Sequence, residues 1–371
     1  MKISSVDLEM RSYLQRIATG PELSKDLSEE ETYHAMTHIL AGSADEVQSA
    51  IFLIALRMKR ETDAENCGAL RALLDSTVQV RSDVADILHV TDPFDGFVRG
   101  LPAAPFLPAV LAACGVATIS SGAQQVGPKY GTTHRQVLAA AGAAVELVPA
   151  EAAMQLEDPT CGWAYVDQRY ACPGLHQLVD LRSRIVKRPL LTTLEVLLAP
   201  VLGRQSTHLV TGYVHKPYPP IYAMLARRAG FASAAIVRGV EGGVIASLNQ
   251  PSKLLRFTAD RDNEEIRLDP ALAGINSQTR AVPLPDVLSP ASAQSELPNE
   301  DEMYRRALAT AQAGRLALAG APGPMCDSLI YGAAVCLLHL GVENSLKGAS
   351  VTVRSVLDSG QPAARFDAGC Y

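Results

Sequence analysis

The sequence predicts an α/β protein in which a small helical domain stands beside a larger α/β domain, whose mostly parallel central sheet is covered by helices. Three observations carry this expectation. The first 75 residues hold helix-start signals and short turns. From about residue 86, short β-branched or aromatic runs alternate with Ala/Leu-rich helical stretches. A chain of 371 residues also exceeds what one ordinary hydrophobic core organises. The division expected is 1–80 for the helical domain, with 181–202 returning to it, and 81–180 plus 203–371 for the α/β domain.

In the first part, Ser28-Glu-Glu-Glu31, Ser43-Ala-Asp-Glu46 and Thr62-Asp-Ala-Glu65 each have the capping-box pattern. Val47 to Lys59 is apolar on nearly all faces, which predicts a buried helix. Further on, candidate strands are 87–90, 116–120, 145–148, 163–166, 209–214 and 234–238. Candidate helices are 104–114, 134–141, 217–229, 302–319 and 327–340. The stretch 281–299, rich in Pro and Ser, reads as a loose surface connection, and Asp260 to Glu265 as solvated turns.

Composition narrows the classes. Hydrophobic residues are 48%, charged residues 19% and aromatics 5%, in the range of globular proteins with many packed helices. A net charge of −6 argues against a globally basic, nucleic-acid-binding surface and leaves a local basic groove open. The seven cysteines form no CxxC pair, and an odd count without a secretory leader fits a reducing cytoplasm. His34 and His38 are four apart, but nothing else has metal-site spacing. Apolar stretches are interrupted too soon to span a membrane.

Three segments carry candidate chemistry. Ser120 to Arg135 follows a predicted strand and opens a helix. Its Gly122, Gly127 and Gly131 expose backbone N–H groups, Lys129 and Arg135 add charge, and Thr132 and Thr133 add hydroxyls. That combination suits phosphate or another oxyanion, although a capped loop that binds nothing has the same composition. Arg182-Ser-Arg-Ile-Val-Lys-Arg188 is a cation run entering an apolar stretch; on a helix, Arg184, Lys187 and Arg188 would roughly share a face. Val237-Arg-Gly-Val-Glu-Gly-Gly243 is a glycine-rich turn at a strand's carboxyl end, where open α/β sheets bind ligands. Glu241 is its single carboxylate.

In this order the segments resemble the anthranilate phosphoribosyltransferase family, within the superfamily that includes the pyrimidine nucleoside phosphorylases. Gln48 to Thr62 looks like that family's second helical hairpin, His208 to His215 like its strand leading to the glycine turn, and Met325 to Ala368 like its C-terminal helices. The chemical motifs depart from it. Where the family carries Gly-Thr-Gly-Gly-Asp for pyrophosphate, this chain has Thr91-Asp-Pro-Phe-Asp-Gly96, leaving Asp92, Asp95 and Gly96 as a donor-loop remnant. Pro93 lacks an N–H and Phe94 is bulky, so this loop cannot cradle a diphosphate in the same way. Lys-His-Gly-Asn-Arg becomes Ile119 to Gln124, keeping only the glycine, while Lys129 to Thr133 resembles the phosphorylases' glycine-threonine loop. The metal-binding Asp-Glu pair falls at about Gly242-Gly243, beside Glu241, so magnesium stays an open expectation. Arg182 matches the arginine that contacts the aromatic acceptor, and His176 stands at a lysine position.

The resemblance is to divergent paralogues, some of them associated with nucleic-acid binding. It implies transfer of a ribosyl or phosphoribosyl group to a small aromatic or heterocyclic acceptor, with Arg182 and Lys129 acting in catalysis and Arg182 with His176 holding the acceptor. Efficient use of anthranilate is not expected. The partner expected is a small phosphorylated or nucleoside-like ligand, and a homodimer is implied. The alternative is a lapsed paralogue that binds nucleic acid or a phosphate ligand between its domains.

Overall fold

The computed structural model describes residues 4–20, 22–258, 261–288 and 300–370. The chain begins with four helices, α1 (Ser5–Ile17), α2 (Glu29–Leu40), α3 (Glu46–Lys59) and α4 (Asp63–Asp75). Ser28 and Thr62 cap α2 and α4 in the predicted reciprocal boxes with Glu31 and Glu65. The third box is displaced, because Asp45 rather than Ser43 accepts from the first N–H groups of α3. Nor is α3 buried all round: Phe52, Leu53 and Leu56 are enclosed, while Val47, Ile51 and Met58 are exposed on the other side. Apolar content alone does not say which side a neighbour covers.

After β1 (Val80–Arg81) the chain alternates: β2 (Asp86–Thr91), α5 (Leu107–Ala113), β3 (Thr118–Gly122), α6 (His134–Ala140), α7 (Pro149–Glu157) and β4 (Trp163–Asp167). Short helices follow, α8 (Gln168–Ala171), α9 (Pro173–His176), α10 (Val179–Ile185) and α11 (Leu191–Leu194). Then come β5 (Val201–Leu202), β6 (Ser206–Gly212), α12 (Tyr218–Arg228) and β7 (Ser233–Val237). The hairpin β8 (Ser252–Thr258) and β9 (Arg261–Leu268) precedes α13 (Glu300–Leu318), α14 (Pro324–His339), α15 (Leu346–Asp358) and α16 (Gln361–Ala368).

Seven strands form one sheet in the order β4-β3-β2-β6-β7-β8-β9, the first five parallel and the last two antiparallel. The chain builds outward from β2 through β3 to β4, then returns to the other side of β2 with β6 and β7. Ligand crevices open at such a reversal, outside the carboxyl ends of the strands. That edge is pinned by Thr211, whose hydroxyl donates to the Thr91 carbonyl at 3.0 Å.

One face of the sheet packs Val90, Val210 and Ala235 against α5 and α14, including Leu111, Leu329 and Leu337, with Phe106 just before α5. The other face, through Leu209, Ala234 and Ile236, shares a core with Met36, Phe52 and Leu70 of the N-terminal helices and with Leu190, Leu194 and Leu197. The 190–197 stretch therefore packs beside the N-terminal helices, which are far from it in sequence.

Two sequence expectations change, at 145–148 and at 260–265. Residues 145–148 form no strand and lead directly into α7. The β8–β9 hairpin replaces the solvated turns expected at 260–265, of which Asp260 lies outside the described residues. It was hidden because β9 is an exposed edge strand without apolar alternation, held partly by Lys253–Glu265 at 2.5 Å and Arg256–Glu264 at 2.9 Å. In the stretch 281–299, Asp286–Leu288 is a 3-10 turn and residues 289–299 lie outside the described residues. All seven cysteines are free thiols. Among the described residues no helix is long and apolar enough to cross a membrane.

Candidate functional site

The segment from β3 to α6 is stitched to the loop after β2. Thr133 caps α6, its hydroxyl accepting from the Gln136 N–H while Gln136 accepts from the Thr133 N–H. The Gly131 N–H donates to the Asp95 carbonyl at 2.7 Å, and the Thr132 N–H donates to the Phe97 carbonyl at 2.7 Å. A Cβ on Gly131 would come within 2.4 Å of the Phe97 nitrogen, so this glycine serves close backbone packing. Gly96, at φ 75°, meets Gly131 from the other side. Gly127 packs on the Tyr130 ring, whose hydroxyl bonds Ser183. Gly122 lies against the Tyr165 hydroxyl. The Gly131 N–H, expected to face an anion, and the N–H groups of Thr132 and Thr133 thus already have partners within the chain.

The charges follow the same rule. Lys129 meets Glu241 at 2.9 Å and lies 5.3 Å from the centre of the Phe97 ring. Glu241, held at φ 55°, also accepts from the Val98 and Arg99 N–H groups at 3.1 and 2.8 Å. Arg135 pairs with Asp167 at 2.9 Å and with Glu146. Asp95 accepts a hydrogen bond from the Arg188 Nε–H at 2.7 Å, with the Arg188 Nη2 ion-paired to the same oxygen at 2.6 Å. Asp92 is enclosed between His134, at 2.9 Å, and the Val244 N–H, at 2.8 Å.

Arg182 is fully buried and donates twice to Glu195, at 2.6 and 2.9 Å, while Gln168 also bonds Glu195. Its expected place facing the cleft is not what the geometry gives: the loop 120–135 and the turn 238–243 do meet, through Lys129 and Glu241, but Arg182 points into the core. Glu195 takes the two terminal nitrogens of Arg182, while its Nε is buried with no hydrogen-bond partner among the described residues. His176 is half-buried, and burial lowers its pKa below the ordinary value. The cation run is not one helical face either. Helix α10 ends at Ile185, Val186 takes φ 61°, and Lys187 and Arg188 leave along the cleft.

That cleft is a cavity of about 610 Å³ between the N-terminal helices and the strand ends. Arg57 and Arg60 from the end of α3, Lys187, Arg188 and His215 line it, with Tyr213, Tyr218 and Tyr222 as its ring-bearing wall and Asp95 and Glu241 near its floor. Arg57 bonds the Tyr218 hydroxyl and stands 5.6 Å from its ring centre. Arg60 and Lys187 are exposed and have no carboxylate partner among the described residues. The sequence reading missed Arg57, Arg60 and the tyrosines because they come from segments far apart in the chain. The Asp92–His134 pair was equally hidden, since only the zipped loops bring it together.

The fit to a metal can be judged from the acidic groups. Both Glu241 oxygens, both Asp92 oxygens and the inner Asp95 oxygen already accept N–H groups. Among the described residues no group of three His, Cys, Asp or Glu could hold a metal ion. These residues do not fit a divalent cation, which needs several free oxygens.

Residues 11–77 match the family described as glycosyl transferase family, helical bundle domain. An anthranilate phosphoribosyltransferase of Sphingopyxis alaskensis is 24% identical over 347 residues, covering 94% of this chain and 96% of that one. The anthranilate phosphoribosyltransferase structure from Thermus thermophilus superposes with a TM-score of 0.73 at 20% identity, over 97% of both chains. The enzyme from Saccharomyces cerevisiae, in complex with PRPP and Mg, gives 0.77 at 14% identity, covering 99% of this chain and 98% of that one. The chain thus has the fold of these anthranilate phosphoribosyltransferase structures, and its N-terminal residues match the helical bundle domain of the glycosyl transferase family.

Proposed function

We propose that this chain uses the cleft between its N-terminal helices and its strand ends to bind a small phosphorylated, ring-bearing ligand, as a pentosyltransferase-like protein with a rebuilt donor side. The reading takes residues 1–80 with 181–202 as one wall and the sheet-bearing remainder as the other. The observation that carries it is the cleft itself, where Arg60 and Lys187 stand without carboxylate partners among the described residues, beside Tyr213, Tyr218 and Tyr222. Cations with open donors suit phosphoryl oxygens, and tyrosine faces suit a planar ring or sugar. Transfer of a ribosyl group passes through a cationic state with a departing oxyanion, so placing positive charge at the leaving group is the chemistry such a wall would supply.

The PRPP and magnesium named for the yeast enzyme fit this chain less well, because Asp92, Asp95 and Glu241 are engaged and Pro93 with Phe94 occupies the donor loop. We therefore expect no efficient formation of phosphoribosyl anthranilate. The engaged charges favour a second reading, binding without transfer, in which the cleft holds a phosphate ligand or nucleic acid. The test mixes purified protein with PRPP, anthranilate and magnesium and follows anthranilate fluorescence, while calorimetry measures ribose 5-phosphate binding. Binding without turnover is the expected result. Turnover on the order of one per second or faster would overturn the donor-side argument, and no binding of any ribose phosphate would overturn the cleft reading.

A further inference from the structure

Adjoining the cleft lies a second cavity of about 810 Å³, which shares only Tyr213, Val214 and Glu241 with it among the described residues. Arg99, Arg238 and Arg280 line it, together with Asn249, Gln250 and Gln278. Its frame is fixed by main-chain bonds. The Leu101 N–H donates to the Val282 carbonyl at 3.0 Å and the Leu248 N–H to the Arg280 carbonyl at 2.9 Å, which fastens the strips carrying Arg99, Asn249 and Arg280 side by side. The Arg238 N–H donates to the Lys253 carbonyl at 2.9 Å, and the Ser252 hydroxyl to the Arg238 carbonyl at 2.7 Å.

The three guanidinium groups, by contrast, have no hydrogen-bond or ion-pair partner among the described residues. Among the described residues Glu241 is the only carboxylate lining the groove, and Lys129 with two backbone N–H groups already occupies it. Elsewhere in the site the arginines 135, 182 and 188 each have a matched acid. Three unmatched arginines on a main-chain frame present up to fifteen N–H donors in planar forks. One anionic group cannot satisfy donors spread over a cavity of this size.

We propose that this groove is a binding site for a small oligophosphate, an anion carrying two or more linked phosphoryl groups, distinct from the cleft. Planar forks grip phosphoryl oxygens in pairs, and the amide side chains of Asn249, Gln250 and Gln278 supply donors for the bridging region. The site stands whether or not the cleft binds ribose phosphates.

The experiment titrates inorganic phosphate, pyrophosphate and tripolyphosphate into the full chain by calorimetry, with citrate as a carboxylate control. Affinity is expected to rise along the phosphate series by about tenfold or more per added group and to exceed that for citrate. Arg99→Ala with Arg280→Ala should weaken tripolyphosphate about tenfold or more, and Arg238→Lys by less, since the charge stays but the fork is lost. These side chains are exposed and unbonded, so the thermal midpoint should not fall. Arg60→Ala with Lys187→Ala should leave tripolyphosphate binding within about twofold, which separates this site from the cleft. The proposal is overturned if no oligophosphate binds, if only the cleft variants abolish binding, or if single-stranded oligonucleotides bind with length-dependent affinity that surpasses tripolyphosphate.

Discussion

The loop after β3 and the wall formed by the end of α3 and residues 187–188 are both rich in cations, yet they differ in how those cations are matched. In the loop, Lys129 and Arg135 each meet a carboxylate supplied by another part of the chain, and Arg188 turns from the wall to do the same with Asp95. On the wall, Arg60 and Lys187 meet none among the described residues. A cation with its own acid holds two segments together. A cation without one remains open to a ligand. The difference lies in partners rather than in residue type, which is why a motif of glycines, lysine and arginine can describe a binding loop and a structural clasp equally well.

The strongest way to break the comparison is at the buried pair. Glu195→Ala should destabilise the fold by about 3–5 kcal/mol, because Arg182 would keep a buried charge without a partner. Denaturant unfolding checks this, and the paired replacement Arg182→Met with Glu195→Leu should recover most of the loss. A small effect from Glu195→Ala would mean that Arg182 reaches solvent or ligand after all.

The next effect concerns neutral rather than charged burial. His89 and His339 are enclosed, and burial lowers their pKa values to about 4 and about 3. In the unfolded chain each takes up a proton below its ordinary 6.5, so their contribution to stability is whole above that pH. It is lost as pH falls from 6.5 toward 4 for His89 and toward 3 for His339. Urea midpoints across that window should decline less steeply in His339→Gln than in the parent chain; an unchanged slope would contradict the assignment.

Smaller effects should follow nearer the surface. Lys129→Ala should cost only about 1 kcal/mol, since Glu241 keeps its two backbone donors. Arg184→Ala breaks an exposed pair with Glu46 and should move stability by less than about 0.5 kcal/mol in thermal unfolding. If Arg184→Ala cost more than Lys129→Ala, burial would not be what ranks these pairs.

The sequence carried the fold further than the site. Capping boxes at Ser28 and Thr62 and the runs that became β2, β3, β4, β6 and β7 were readable because local chemistry and the hydrophobic pattern agreed. Residues 145–148 looked like a strand because local β propensity does not report whether a neighbouring strand is available to pair. The charged β9 was hidden for the opposite reason, since its partner is fixed by cross-strand ion pairs rather than by apolar alternation. At the site, the 120–135 segment and the Glu241 turn do meet in space, through Lys129 and Glu241. What could not be read was pairing at long range: Lys129 with Glu241, His134 with Asp92 and Arg188 with Asp95 depend on where the loops cross in space.

The most direct test of the contrast between matched and unmatched cations is calorimetric titration of ribose 5-phosphate into three proteins: the parent chain, Lys129→Ala, and Arg60→Ala with Lys187→Ala. The account predicts that Lys129→Ala binds within about threefold of the parent, while the double variant loses about tenfold or more in affinity. Loss of binding in Lys129→Ala with full binding in the double variant would contradict it, and would return the anion site to the loop.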